Sequence, residues 1–326
     1  MKALRGFVVA MLFIPVIGFS QQTDTLVQKL DSAAVKSDSL NNTQKNNTTP
    51  ASYEDIKLDA RDYLTLLSDD IKQQLTLPFH IKGNDWVRTA GFAAVTGGVY
   101  LLDKPINRFT KNLTANNPAV ASVSKYVTNF GGNYELYTLA GFYAYGLVFK
   151  TQKEKTTTAL ATQAYISAGL IQVVTKFVTG EQRPHYVDPV TGKSAPIWHG
   201  PMFRFKKNSK GEKPDGTAYS SFPSGHTTAA FAAATVYALE YKNSPFIPIL
   251  SYSAATLIGL SRLTENKHWA SDILVGGMLG YLCGKQVVNN YHRFARLKKG
   301  DKKLKDISFN LQYIDRQIVP GLVYRF

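Results

Sequence analysis

Polar and apolar positions sort this chain into long uncharged stretches separated by charged or irregular connections. After an N-terminal apolar run, uncharged windows cover 89–102, 136–149, 156–175, 227–239, 243–261 and 273–284. They are rich in Ala, Gly, Leu and Tyr, and small residues let helices approach closely. Strand-like alternation is nearly absent before residue 307. The pattern predicts helices at about 85–102, 117–129, 134–149, 156–179, 226–242 and 246–261, then a long one over about 268–293. Residues 53–76 read as an amphipathic lead-in helix. Ile56, Leu58, Tyr63, Leu64, Leu67, Ile71 and Leu75 stand among acids and lysines, and Pro78 stops the run. Such a helix suits either the surface of a core or a lipid interface. The chain therefore reads as an all-α helical bundle, closed by a short C-terminal β-hairpin within 307–326 that turns at Pro320-Gly321.

The two ends differ from this middle. Met1–Arg5 carries two positive charges, Gly6–Phe19 is apolar, and Gly18-Phe19-Ser20 offers small residues before a cut. That order reads as a secretory signal peptide over 1–20. Residues 21–50 form a polar, low-complexity linker, 51–84 the helical lead-in, 85–293 the bundle domain, and 294–326 a basic tail with the hairpin. The basic run Arg296–Lys305 suits a solvated tail or a contact with lipid headgroups.

Composition narrows the class. Apolar residues make up 44% of the chain and charged ones 19%, which excludes global disorder. The single cysteine, Cys283, rules out an intramolecular disulfide and any cysteine-clustered metal site; in its apolar run it reads as a buried thiol. The net charge is +15, and removing Lys2 and Arg5 with the signal leaves +13. With export and no nucleic-acid motif, phosphate-bearing or lipid partners fit this charge better than nucleic acid. Only 156–175 and 243–261 approach the roughly 20 residues of a bilayer-spanning helix, and the mean hydropathy is −0.16. If all six windows crossed, the loop at 176–226 would return to the cytoplasm although the N-terminus is exported. The expectation is a soluble or peripheral bundle on the periplasmic side of the envelope rather than a polytopic membrane protein.

Three blocks carry chemistry. Lys176 and Arg183-Pro184 flank a helix end, where Gly180 suits the C-cap and Pro184 forbids continuation. Two cations can converge there, or simply face the helix dipole. Pro223-Ser224-Gly225-His226 makes a tight turn into a helix. Free N–H groups at a helix start form an anion site, and Gly lets the anion come close, although a helix cap would look the same. In the third block Arg262 can fork onto two phosphate oxygens, and His268 and Asp272 share a helix face four residues apart. A carboxylate on one ring nitrogen fixes the tautomer and leaves the other nitrogen to attack; alone, the pair is also an ordinary helix salt bridge. His80, His185, His199 and His292 have no metal-ligand spacing, and Tyr186 and Trp198 are single loop aromatics near the blocks.

Together the blocks read K-x6-R-P, P-S-G-H and S-R-x5-H-x3-D, with 38 residues between Pro184 and Pro223 and 34 between His226 and Ser261. This resembles the signature of the type 2 phosphatidic acid phosphatases, a superfamily that includes bacterial class A acid phosphatases and vanadium haloperoxidases. The resemblance is firm over about 170–275 and extends plausibly over 85–293. It implies that His268 takes the phosphoryl group, that Asp272 orients it, and that His226 protonates the leaving oxygen and later helps activate water. Lys176, Arg183, Ser224, Gly225 and Arg262 would bind the phosphate. It implies no metal and no cofactor in the phosphatase mode.

The expected function is an exported, metal-independent phosphatase. Its substrate class is a phosphomonoester or pyrophosphate, either a lipid phosphate or a small phosphoester. One alternative is a vanadate-dependent haloperoxidase using the same anion cradle. Another is a non-catalytic envelope scaffold or lipid-binding protein, against which the intact His226, His268 and Asp272 argue.

Overall fold

Prolines, glycines and charged clusters divide the chain where the hydrophobic pattern places its breaks. The computed structural model describes residues 58–187, 192–201, 203–205, 216–305, 307–314 and 317–324. The segments expected to be a signal peptide and a polar linker, and the first residues of the lead-in, lie outside the described residues, as do the side chains of the C-terminal 28 positions from Lys299.

The helices are α1 (Ala60–Thr76), α2 (Asn84–Asn116), α3 (Pro118–Thr128), α4 (Asn133–Val148), α5 (Gln152–Thr179), α6 (Gly225–Glu240), α7 (Phe246–Thr264) and α8 (Ala270–Lys305). Among the described residues there are also three short 3-10 turns, at Leu77–Phe79, Asn129–Gly131 and Phe203–Phe205. Strands β1 (Ile307–Ile314) and β2 (Gln317–Tyr324) pair antiparallel, with Asn310 opposite Gly321. The all-α bundle read from the sequence is the observed architecture.

Two boundaries differ from the sequence reading, for one reason. α2 does not stop near residue 102 but runs through Pro105 to Asn116. Asp103, the first charge after the apolar window, is fully buried. It accepts from the Ser271 N–H at 2.9 Å and from the Ser271 hydroxyl at 2.5 Å. A charge that looks like a helix end is thus an inward tertiary anchor. Likewise α8 continues through the basic run, and Lys298 bonds Asp62 of α1 at 2.5 Å.

α6 is the central helix, lying against α5, α7 and α8. Leu160, Ala161, Ala164 and Ala168 of α5 meet Ala232 and Val236 of α6 and Val287, Val288 and Tyr291 of α8. Cys283 is buried in the same cluster, and burial pushes its thiol up to about 12. α1 docks through Leu66, which joins this cluster, and through polar residues. Asp70 is fully buried and accepts from Asn290 Nδ2 at 2.6 Å and from Gln163 Nε2. Leu64, Leu75 and Phe79 instead face outward.

Large apolar side chains also cover the outer faces of α4, α5 and α7, among them Tyr137, Phe142, Leu147, Leu170, Val173 and Ile249. Among the described residues, α7 is the one helix long and apolar enough to cross a membrane; α5 has the length but is too polar.

Candidate active site

The site is built at the ends of α5, α6, α7 and α8, and local chemistry explains each end. Gly180 caps α5 at φ 56°, ψ 40°, and its N–H bonds the Lys176 carbonyl at 3.1 Å. A side chain at Gly180 would meet the Gly200 carbonyl at 2.7 Å, so both conformation and space require glycine. The chain then turns along the loop 216–224. Arg183 N–H donates to the Ala218 carbonyl at 2.8 Å and Ser221 N–H to the Glu181 carbonyl at 3.0 Å. The Lys176 ammonium donates to the Ser220 and Ser221 carbonyls, and the Arg183 guanidinium to Ser220 at 3.3 Å. The first two sequence blocks are knit together by these bonds.

The turn Phe222-Pro223 carries a cis peptide bond and delivers the chain into α6. Ser224 precedes that helix in an extended conformation, and its side chain does not cap it. The hydroxyl accepts from Thr227 Oγ1 at 2.9 Å. The Gly225 Cα lies against Gln172 of α5, where an added Cβ would come within 3.2 Å of its amide oxygen.

The third block joins at the start of α8. His268 and Asp272 are both buried, with Nδ1 and Oδ2 3.3 Å apart. That same Oδ2 accepts from Trp269 N–H at 2.8 Å and from the Ser221 hydroxyl at 2.5 Å. The Trp269 indole donates to the Gln182 carbonyl at 2.7 Å. Arg262 comes from the last turn of α7 and is held by Glu265 and by the Thr128 hydroxyl, each at 2.7 Å.

Charge unites the group. Burial, then the charges of Arg262, Arg183 and Lys176, push His226 down to about 4. Burial holds His268 well below its ordinary value, Lys176 and Arg183 add to that, and Asp272 opposes it. Burial works against the Asp272 carboxylate, yet its bonds with His268, Glu181 and Ser221 outweigh burial and hold it below the usual range. Both imidazoles are therefore held toward the neutral form, beside three cations. Such a site can receive a multiply charged anion and present it with one neutral nucleophile and one proton carrier.

The structure thus brings Lys176, Arg183, Ser224, Gly225, His226, Arg262, His268 and Asp272 to one end of the bundle. It puts Tyr186 and Trp198 elsewhere in the scheme: Tyr186 packs on Tyr219, and Trp198 donates its indole N–H to Glu181 Oε1 at 2.8 Å. His185 is exposed. Sequence reasoning missed Glu181, an unspecified position of the first block that is wholly buried. It also missed Gly131 and Gly132. A Cβ on Gly132 would sit 3.3 Å from His226 Nε2, and one on Gly131 would collide with Ile258 at 2.4 Å. The paired glycines were a visible signal of close approach between the α3–α4 turn and something bulky.

Beside His226 an apolar groove of about 570 Å³ runs between α4, α6 and α7. Phe130, Ala230 and Ile258 line its site end, and Tyr241 and Ile247 its far end.

Residues 157–296 match the model of the PAP2 superfamily. A lipid A 1-phosphatase of Porphyromonas gingivalis is 48% identical over 88 residues, 26% of this chain and 20% of that protein. A phospholipid phosphatase homolog of Caenorhabditis elegans is 32% identical over 120 residues, 32% of this chain and 35% of that protein. The chain therefore spans about a fifth and about a third of these relatives. Among solved structures, Aquifex aeolicus LpxE aligns with a TM-score of 0.42 at 22% identity, over 58% of this chain and 95% of that one. A transmembrane PAP2-type phosphatidylglycerolphosphate phosphatase of Bacillus subtilis aligns with a TM-score of 0.34 at 19% identity, over 74% and 96%.

Proposed function

We propose that this chain, whose residues 157–296 match the PAP2 superfamily, is an exported phosphatase acting on a phosphorylated lipid. The observation that carries this reading is the groove. Its end at Phe130, Ala230 and Ile258 lies nearest His226, its walls are mainly aliphatic and aromatic, and it continues along α6 toward Glu154 and Tyr241. A phosphate held by Lys176, Arg183 and Arg262 would leave its apolar substituent lying in that groove. The outward apolar faces of α4, α5 and α7 suit contact with lipid, so the protein works at the membrane of the envelope, on its outer side. The named relatives, a lipid A 1-phosphatase and a phospholipid phosphatase homolog, support the same substrate class.

The geometry supports a phosphohistidine reaction. The three cations, the Ser224 turn and the N-terminus of α6 hold the phosphoryl oxygens. Asp272 bonds Nδ1 of His268, so Nε2 carries the free lone pair and attacks phosphorus. The P–O bond to the lipid breaks as Nε2–P forms, and His226 gives the departing oxygen its proton. His226 then takes a proton from water, whose oxygen displaces Nε2 and releases inorganic phosphate. Binding of the anion among the cations raises the basicity of His226, which supplies the proton carrier where it is needed. No residue in this scheme calls for a metal.

The test is phosphate release from lipid phosphates and small phosphoesters by the full chain with EDTA present, beside His268→Ala. The reading expects EDTA-resistant, His268-dependent release that favours lipid phosphates. An Ala254→Trp substitution, which fills the groove, raises KM for long-chain substrates and leaves short-chain ones unchanged. Absence of release from every ester by folded protein, with and without detergent, would contradict it.

A further inference from the structure

Asp272 uses its two carboxylate oxygens unequally. Oδ2 accepts from Ser221 and Trp269 and pairs with His268, whereas Oδ1 is buried with no conventional donor near it. Glu181 shows the mirror image. Its Oε1 accepts from the Trp198 indole, and its buried Oε2 likewise lacks a donor. Ser221 ties the two residues together, its N–H donating to the Glu181 carbonyl at 3.0 Å and its hydroxyl to Asp272 at 2.5 Å, and the two carboxyls act on each other's ionisation. Two acceptor oxygens can bond only if a proton lies between them.

We propose that Glu181 is a neutral carboxylic acid whose O–H donates to Asp272, and that it is a positioning residue for the His268–Asp272 pair. With this bond, every oxygen of both carboxyls is satisfied. Asp272 is then clamped on both sides, so that Oδ2 stays aimed at His268 Nδ1. The negative charge remains on Asp272, where it fixes the tautomer of the nucleophile, and does not spread to Glu181.

The surroundings place the proton on Glu181. Its side chain is completely buried. Burial first, then the charge of Asp272 and the bond to it, push the Glu181 carboxyl far up, and the charge of Asp103 adds to this. Asp103 and Tyr100 face it from α2, and Trp198 from the loop. On the other side, Asp272 has the bonds of His268 and Ser221 to stabilise its charge, with Lys176 and Arg183 beyond His268. A second full negative charge behind the nucleophile would also weaken the hold on an anionic substrate. The proposed proton removes it.

This positioning role rests on the phosphohistidine reading, but the location of the proton does not. The deciding experiment is infrared spectroscopy of the full-length protein carrying 13C-carboxyl glutamate. A protonated glutamic-acid carbonyl band that persists at pH 8 and vanishes in Glu181→Gln is the expected result. Absence of that band in the wild type overturns the proposal whatever the activity. Kinetics give an independent arm. Gln offers an N–H to Asp272 and a carbonyl to Trp198, so Glu181→Gln keeps kcat within about threefold of wild type. Glu181→Ala loses about 10- to 100-fold in kcat at nearly unchanged KM, the scale of a missing buried hydrogen bond. A folded Glu181→Gln as impaired as Glu181→Ala would contradict a neutral donor.

Discussion

The Ser224 N–H donates to the Asp272 carbonyl at 3.1 Å, which ties the turn before α6 to the first turn of α8. The bond holds the anion-binding turn in register with the carboxylate that orients His268. It forms because α6 and α8 cross with almost no side chain between them. A Cβ on Gly276 would lie 2.8 Å from the Ser224 carbonyl oxygen, and one on Gly280 would lie 2.3 Å from that of Thr228.

This crossing makes a sharp prediction. Gly280→Ala drives a methyl into α6 and destabilises the fold by about 1–3 kcal/mol, the range of core overpacking. Gly277→Ala, three positions away, meets only the Phe231 ring at 3.6 Å. It is neutral or stabilising by up to about 1 kcal/mol through helix propensity. Thermal unfolding of the two variants side by side checks the contrast.

A second prediction concerns the leaving group. His226→Ala removes the proton donor and lowers kcat/KM, which reports the phosphoryl-transfer step, by about 10²–10⁴-fold on alkyl phosphates. An aryl phosphate, whose leaving oxygen departs without a proton, loses far less. Equal losses on both substrate types would contradict the general-acid role.

Histidine titration by NMR offers a third. Burial and three cations push His226 down to about 4 from its ordinary 6.5. A histidine depressed in the folded state contributes stability that is complete above 6.5 and is lost as pH falls toward 4. Added phosphate or vanadate neutralises the cations, so the titration of His226 moves up toward neutral pH. In Arg262→Ala the value without added anion rises as well.

The orienting carboxylate gives a fourth. Asp272→Asn keeps the shape but presents an amide to His268 Nδ1, which disfavours the attacking tautomer. Activity falls by about 10³–10⁴-fold with substrate binding little changed, the scale of this change in a serine-hydrolase triad. Steady-state kinetics on one soluble ester suffice.

Much of this was legible in the sequence because it is local. The break at Gly180, the turn at Pro223-Ser224-Gly225 and the four-residue spacing of His268 and Asp272 each follow from neighbouring residues. The eight candidate site residues lie in three such blocks, and the fold brings the blocks together. What the sequence concealed is tertiary. Asp103 looks like a helix terminator until its bonds to Ser271 are seen, and Glu181 looks like loop filler until it is found behind Asp272. The inner face of α1 mixes the two classes, with Asp70 and Gln74 buried beside Leu66 while Leu64 is exposed, which the amphipathic reading does not anticipate. Hydrophobic periodicity cannot say which face of a helix turns inward when polar partners such as Gln163 and Asn290 await it.

The central claim is that His268 carries the phosphoryl group. The most direct measurement is rapid acid-free quenching of the full-length protein with a 32P-labelled lipid phosphate, followed by peptide mapping. The account predicts a base-stable, acid-labile phosphopeptide containing His268, formed within one turnover and absent from His268→Ala. Turnover of the substrate with no labelled protein at any time, or label on a different residue, would contradict it.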